Sequence, residues 1–135
     1  MRNLWPIALL FVLLRIPLFA QTQEFPDTSG NAFLRLCSPG EKDYEHITQT
    51  EIGNTLVCFG YVRGFTSGVE VEKVFAEAKT SRKVPAPFCL PNDVESGQTV
   101  RIVLKYIRNN PEEAHRPTDA LILAALGKAY PCPSK

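Results

Sequence analysis

The chain has 135 residues, of which 44% are hydrophobic, and its formal net charge is +1 at pH 7. This length suits one domain with a single hydrophobic core. The near-zero charge argues against a nucleic-acid partner, because nucleic-acid binding depends on a basic surface that displaces counterions.

The first twenty residues have the layout of a secretory signal peptide. Arg2 precedes an apolar run from Leu4 to Leu14, and the small residue Ala20 stands before a polar one. The run has about half of the ~20 apolar residues needed to span a bilayer, and Arg15 ends it. A retained membrane anchor is the alternative. We therefore expect residues 1–20 to be removed, the mature chain to reach the periplasm, and no stable membrane insertion after cleavage.

The next segment is predicted to be a flexible lead-in followed by a short helix. Residues 21–30 lack periodicity and are rich in polar and turn-forming types. Ser29 or Asn31 can cap the apolar segment that follows, and Pro39 with Gly40 ends that segment. Residues 41–46 are mostly charged or polar and predict a solvated connection.

A long helix is predicted from about Glu45, because apolar residues recur three to five positions apart as far as Phe65. Gly60, Gly64 and Gly68 are spaced by four within it. Each glycine costs a helix about 1 kcal/mol relative to alanine, so three on one stripe require compensation. We expect another helix to pack closely on this stripe. A backbone surface open to a ligand is the alternative, and Gly68 can also simply end the helix.

A second amphipathic stretch continues to about Lys79. The segment from there to Pro87 adds Arg82 and Lys83 and contains two prolines, which predicts an exposed basic loop. Phe88-Cys89-Leu90-Pro91 follows, and its cysteine and flanking prolines predict an extended corner that is pinned in place.

Two further helices are predicted in the last third of the chain. Asp93 or Ser96 can cap the first, which has apolar residues at i, i+3, i+4 and i+7 and ends before Pro111. Those apolar positions are Val100, Val103, Leu104 and Ile107. The last helix is predicted to run from near Thr118 to about Ala129.

These patterns predict an all-α fold, a small bundle of four to five helices held by two disulfides. Cys37, Cys58, Cys89 and Cys132 are an even number of cysteines in a short exported chain, which favours disulfides in an oxidising compartment. Zinc is the alternative, but it usually takes its thiolates from closely spaced pairs. Three pairings are possible. We favour Cys37 with Cys58 and Cys89 with Cys132, and leave the other two open.

The sequence predicts no catalytic, metal or cofactor site. His46 and His115 have no other ligand-type residue at metal-binding spacing. Ser67 lacks the preceding glycine of a nucleophile elbow, and Glu112 and Glu113 are adjacent and therefore diverge around a helix start. We therefore predict a protein that binds a partner rather than an enzyme.

Several motifs together, in order from about Ser29 to Cys132, resemble the periplasmic type VI amidase immunity family, often called the Rap/Tai immunity domain. They are Cys58-Phe-Gly-Tyr-Val-Arg-Gly-Phe65, Phe88-Cys-Leu-Pro91 with Val94 and Gly97-Gln98, Lys105-Tyr-Ile, Asn110-Pro-Glu112 with His115, and Ala125-Leu126 followed by Ala129-Tyr-Pro-Cys132. The chain departs from the family in a longer link at 38–50, in Glu95 where a capping threonine is common, and in Ser67 where an acidic residue is common.

The resemblance implies a small helical protein, often dimeric, formed here by residues 31–133. Such a protein binds a peptidoglycan amidase delivered by type VI secretion and blocks its active site without a cofactor. We expect the contact surface in the two polar segments 39–46 and 79–87. The candidate residues are Lys79, Arg82, Lys83, Glu41, Lys42 and Asp43. The alternative function is a periplasmic helper protein, similar to a stress chaperone, that has no cognate toxin.

Overall fold

The computed structural model describes residues 27–133, and within them the protein is a bundle of four α-helices. These are α1 (Gly30–Cys37), α2 (Gln49–Thr80), α3 (Ser96–Asn109) and α4 (Thr118–Ala129). Short 3-10 turns lie at Ser38–Glu41, Tyr44–His46 and Pro111–Glu113. No strand occurs in this part of the chain apart from an isolated bridge, so the predicted all-α class is confirmed. The predicted signal peptide lies outside the described residues.

Helix α1 begins where its cap was predicted. The Ser29 hydroxyl accepts a hydrogen bond from the Ala32 amide at 3.3 Å, so Ser29 rather than Asn31 is the N-cap. The residues just before the helix are also held in place. The Thr28 carbonyl accepts hydrogen bonds from the Thr118 amide at 2.8 Å and the Thr118 hydroxyl at 2.6 Å. The end of the predicted flexible lead-in is therefore bound to the start of α4.

Helix α2 is one continuous helix of 32 residues. Its start is fixed by a capping box, in which the Thr48 hydroxyl accepts from the Glu51 amide and the Glu51 carboxylate accepts from the Thr48 amide. The alternative that Gly68 ends the helix is wrong, because helix-forming residues such as Glu70, Glu72 and Ala76 follow that glycine and the next proline comes only at Pro85. The helix ends at Ser81, whose φ of 51° is left-handed.

The hydrophobic core is centred on α3 and α4, and α1 and α2 also contribute buried residues to it. All four apolar positions predicted for α3 are buried, and they pack with Leu121, Ile122 and Leu126 of α4. The predicted cap of α3 is wrong: Glu95 occupies the N-cap position and its side chain makes no capping hydrogen bond, so neither Asp93 nor Ser96 serves. Thr118 and Ala129 bound α4, as the sequence predicts.

Two disulfides connect the elements in the pairing that the sequence favours. Cys37 at the end of α1 pairs with Cys58 of α2, with their Cα atoms 5.5 Å apart. Cys89 pairs with Cys132 near the carboxyl end, at a Cα separation of 4.9 Å. The Cys89 amide also donates a hydrogen bond to the Tyr130 carbonyl at 2.9 Å. The segment around Cys89 and the end of the chain are therefore joined by a backbone hydrogen bond as well as by the disulfide.

Only one side of α2 is attached to the bundle. Cys58 and Val62 are its two buried residues, while the large apolar side chains on its other side are exposed. Those exposed residues are Leu56, Val57, Tyr61, Val71, Val74 and Phe75. A Cβ atom built on Gly60, Gly64 or Gly68 meets nothing within 4 Å. The prediction that a helix packs against these glycines therefore fails within the described chain.

Either disulfide should contribute substantially to stability. Cys37 and Cys58 are 21 residues apart, Cys89 and Cys132 are 43 apart, and loops of these lengths correspond to about 3 and about 4 kcal/mol in the chain-entropy account. We expect Cys37→Ala with Cys58→Ala, or Cys89→Ala with Cys132→Ala, to lower the free energy of unfolding by about these amounts. Denaturant unfolding of the mature chain measures this, and a loss below about 1 kcal/mol for both pairs would contradict it.

Tyr61 should titrate unusually late. Its hydroxyl donates to the Asp119 carboxylate and so ties α2 to the start of α4, and partial burial followed by that hydrogen bond raises the pKa of Tyr61 to about 12. The protonated phenol is the form that the fold favours. The stability that the protonated Tyr61 contributes is therefore complete below pH 10, the ordinary pKa of tyrosine, and is lost as the pH rises through about 12.

Near-ultraviolet absorbance can follow this titration. The mature chain and its Tyr61→Phe variant are titrated side by side, and the difference between the two curves gives the ionisation of Tyr61. We expect that difference near pH 12. A difference near pH 10 would show that the hydrogen bond to Asp119 does not form in solution.

Candidate partner-binding surface

The basic segment after α2 is exposed but its backbone is well held. Lys79, Arg82 and Lys83 are all exposed, and the described residues show no ion pair to any of them. The left-handed Ser81 turns the chain back, and the Val84 amide then donates to the Glu77 carboxylate at 3.1 Å. The segment is thus a shaped cationic surface rather than a loose loop.

A groove of about 610 Å³ lies beside this basic segment, between it and α2. Lys73 and Glu77 of α2 line one wall, Val84 to Ala86 line another, and the disulfide Cys89–Cys132 forms part of the boundary. Because both walls are fixed by hydrogen bonding or by the disulfide, the groove can receive a partner group with little loss of conformational freedom.

The second predicted segment, at the other end of α2, uses its charges within the chain. The Glu41 carboxylate accepts two hydrogen bonds from Arg108 of α3, at 2.5 and 3.0 Å, and Arg108 also donates to the Ser38 hydroxyl. The hydrogen bond to Glu41 raises the pKa of the Arg108 guanidinium. Glu41 therefore anchors the segment to α3.

Lys42 anchors the same segment to α2. Its ammonium group lies 2.5 Å from the Glu51 carboxylate, and this contact, together with the bonds from Thr48, lowers the pKa of Glu51 to about 2. Asp43 is exposed and makes no ion pair among the described residues. Of the three candidates in this segment, two thus have structural partners.

The structure does not bring the two predicted segments together. They lie at opposite ends of α2, which has 32 residues and is therefore about 48 Å long. A single small groove on a partner cannot contact both ends of one copy. The six candidate residues form two separate surfaces, a free basic one and a largely self-paired one.

The outward face of α2, between these two ends, is an exposed surface that was not predicted from the sequence. Val57 is 60% exposed and Phe75 is 71% exposed, both on the side that carries the glycines. The sequence does contain the pattern of this surface, because Val57, Val71 and Phe75 lie on the same side of the helix as the glycines. The pattern was interpreted as a buried surface, since apolar residues beside glycines usually indicate packing inside one chain.

The residues considered for catalysis all lie at the surface. His46, His115 and Ser67 are all exposed, and no group of three metal-binding side chains occurs in the described residues. None of the described helices has the length and apolarity needed to cross a bilayer.

Comparison with known proteins identifies the family of this chain. No curated protein and no solved structure matches the chain. The sequence does match the family described as Rap1a immunity proteins over residues 29–132, which is well over half of its length. That match begins at the Ser29 cap of α1 and ends at the Cys132 disulfide, so it contains all four helices and both disulfides. The chain therefore belongs to the Rap1a immunity protein family.

Proposed function

We propose that this chain is a periplasmic immunity protein that binds a peptidoglycan amidase delivered by type VI secretion and blocks its active site. The observation that carries the proposal is the family match over residues 29–132. An immunity protein of this family acts by binding an effector protein. The amidase as target, and occlusion of its active site as mode of action, are our inferences.

Export to the periplasm is supported by the thiol chemistry. All four cysteines are paired in the described structure, and disulfides persist in an oxidising compartment such as the periplasm. The basic and apolar order of residues 1–20 is that of a cleavable signal peptide. A peptidoglycan amidase acts in the same compartment, so inhibitor and target would meet there.

The basic segment 79–87 is the better candidate for the contact with the amidase. Its three cations are free of ion pairs among the described residues, so binding breaks no internal contact, whereas Glu41 and Lys42 would have to give up theirs. The segment is also held by Ser81 and by the bond from Val84 to Glu77. A surface already in its binding shape loses less entropy when it is covered.

Reversal of two charges tests this assignment. We expect Arg82→Glu with Lys83→Glu to weaken binding to the cognate amidase by about tenfold or more, because complementary cations become repulsive anions. The matched control is Arg101→Glu with Lys105→Glu, which changes the net charge equally at exposed positions of α3. Binding is measured by calorimetry with the purified amidase, and protection is measured in cells that export the amidase.

Three outcomes contradict parts of the proposal. If both double variants lose affinity equally, the effect is one of net charge and the segment is not the contact. If no type VI amidase binds the mature chain at micromolar concentration, the proposed target is wrong. If the chain instead suppresses aggregation of several unrelated proteins and protects against no toxin, it acts as a periplasmic helper protein.

A further inference from the structure

The two disulfides differ in how closely solvent approaches them. Cys37 and Cys58 are each 1% exposed and lie within the hydrophobic core. Cys89 is exposed and Cys132 is half-buried, at the edge of the bundle. A thiol dissolved in water can therefore reach the second bridge while the chain stays folded, whereas it can reach the first only when the core opens.

The exposed bridge forms part of the groove beside the basic segment. Cys89 and Cys132 both line that groove, which has a volume of about 610 Å³. The Cys132 Sγ atom also lies 3.6 Å from the carbonyl oxygen of Ala86, which belongs to one wall of the groove. The other end of that wall is held by the hydrogen bond from the Val84 amide to the Glu77 carboxylate, at 3.1 Å. The disulfide and this hydrogen bond thus fix the wall from both ends.

The same bridge holds the end of the chain against the groove. The Cys89 amide donates to the Tyr130 carbonyl, but residues 131–133 make no backbone hydrogen bond in the part of the chain that the structure describes. Two of those three residues are prolines, which have no amide hydrogen to donate. Opening the bridge therefore releases Cys132 and Pro133 from the border of the groove.

The helical core does not include this bridge. Neither Cys89 nor Cys132 belongs to the cluster of buried apolar residues. Their neighbours are held independently, because Phe88 is buried in that cluster and the Tyr130 hydroxyl accepts a hydrogen bond from Gln98 at 3.1 Å. An open bridge thus lowers the stability of the chain but leaves the packing of the four helices in place.

We propose that the Cys89–Cys132 disulfide is a redox control on the groove beside the basic segment. A small thiol, or the dithiol of a reductase, opens this bridge and leaves Cys37–Cys58 closed. The opened chain keeps its four helices and loses the fixed shape of the groove, so a partner in that groove is bound less tightly. The effect on binding rests on the proposed function, whereas the selective opening does not.

The opening step is thiol–disulfide exchange. A thiolate attacks one sulfur of the bridge, forms a mixed disulfide with it and releases the other cysteine as a thiolate, which takes up a proton from water. A second thiol group then displaces the remaining protein sulfur and leaves as part of the oxidised reagent. The protein gains two electrons and two protons, which the two thiol groups lose. An oxidising compartment closes the bridge again, so the groove is complete only after oxidation.

Reduction of the wild-type mature chain with dithiothreitol tests the selectivity. Free thiols are labelled with iodoacetamide and located by peptide mass spectrometry. We expect Cys89 and Cys132 to be labelled at a dithiothreitol concentration at least about tenfold lower than Cys37 and Cys58, with the helix content in circular dichroism unchanged at that point. Labelling of all four cysteines together, or of the buried pair first, would overturn the proposal.

Hydrogen–deuterium exchange tests the effect on the groove. After the selective reduction, the Val84 and Cys89 amides, which donate to Glu77 and Tyr130, should exchange at least about tenfold faster, while the amides of α3 stay slow. The control is Cys89→Ser with Cys132→Ser, in which the same dithiothreitol should change nothing. Unchanged exchange at both amides, or an equal rise throughout the chain, would refute the control of the groove. The reduced wild type decides this even if the variant does not fold.

Calorimetry with the purified amidase tests the effect on binding. The folded Cys89→Ser with Cys132→Ser variant mimics the open bridge without a reductant that could alter the amidase. We expect its dissociation constant to be at least about tenfold higher than that of the oxidised wild type. Equal affinities would show that the bridge does not regulate binding, although the proposed function would stand. If neither form binds, the proposed function fails, and the labelling and exchange results still decide whether the bridge controls the groove.

Discussion

The structure depends on how α2 is attached to the rest of the bundle. A helix of 32 residues buries only Cys58 and Val62 fully, and Cys58 is covalently bound to Cys37 of α1. Phe59, Phe65 and Val69 of α2 are only partly buried where they pack against the core. The Cys37–Cys58 disulfide and the capping box at Thr48 fix one end of α2, and the bond from Tyr61 to Asp119 ties its middle to α4.

This one-sided attachment explains why the two ends and the outer face of α2 can serve different purposes. At the start of the helix, Glu41 and Lys42 are used to bind the 39–46 segment to α3 and α2. At the end, Lys79, Arg82 and Lys83 have no ion-pair partner among residues 27–133, and they stand on a backbone shaped by Ser81 and the Cys89–Cys132 disulfide. A charged surface of that kind suits recognition of an effector, while the outer face of α2 leaves apolar side chains such as Val57 and Phe75 exposed.

Much of the fold could be predicted from the sequence, because helix periodicity and helix ends are local properties. The apolar spacing of α3, the Ser29 cap and the start of α4 at Thr118 all follow from residues within a few positions. The disulfide pairing was only favoured, since four cysteines allow three connectivities and the choice depends on tertiary geometry. The continuity of α2 through Gly68 was left open, because a glycine can either end a helix or be tolerated within it.

The surface was harder to predict than the fold. Exposure of polar segments can be inferred from composition, but whether Glu41 or Lys42 has an internal partner depends on residues that are distant in sequence, such as Arg108. The glycine stripe shows a similar difficulty. Its spacing predicted a packed helix, but a Cβ atom built on Gly60, Gly64 or Gly68 meets nothing within 4 Å in the described chain, and nothing local in the sequence says so.

The central claim is that α2 is held to its own chain by one face, through the Cys37–Cys58 disulfide, the capping box at Thr48 and the bond from Tyr61 to Asp119. Hydrogen–deuterium exchange of the mature chain, with and without Cys37→Ala and Cys58→Ala, measures this directly. The account predicts that the amides of α2 exchange faster in the double variant, while those in the cores of α3 and α4 change little. Exchange in α2 that the double variant leaves unchanged would contradict it.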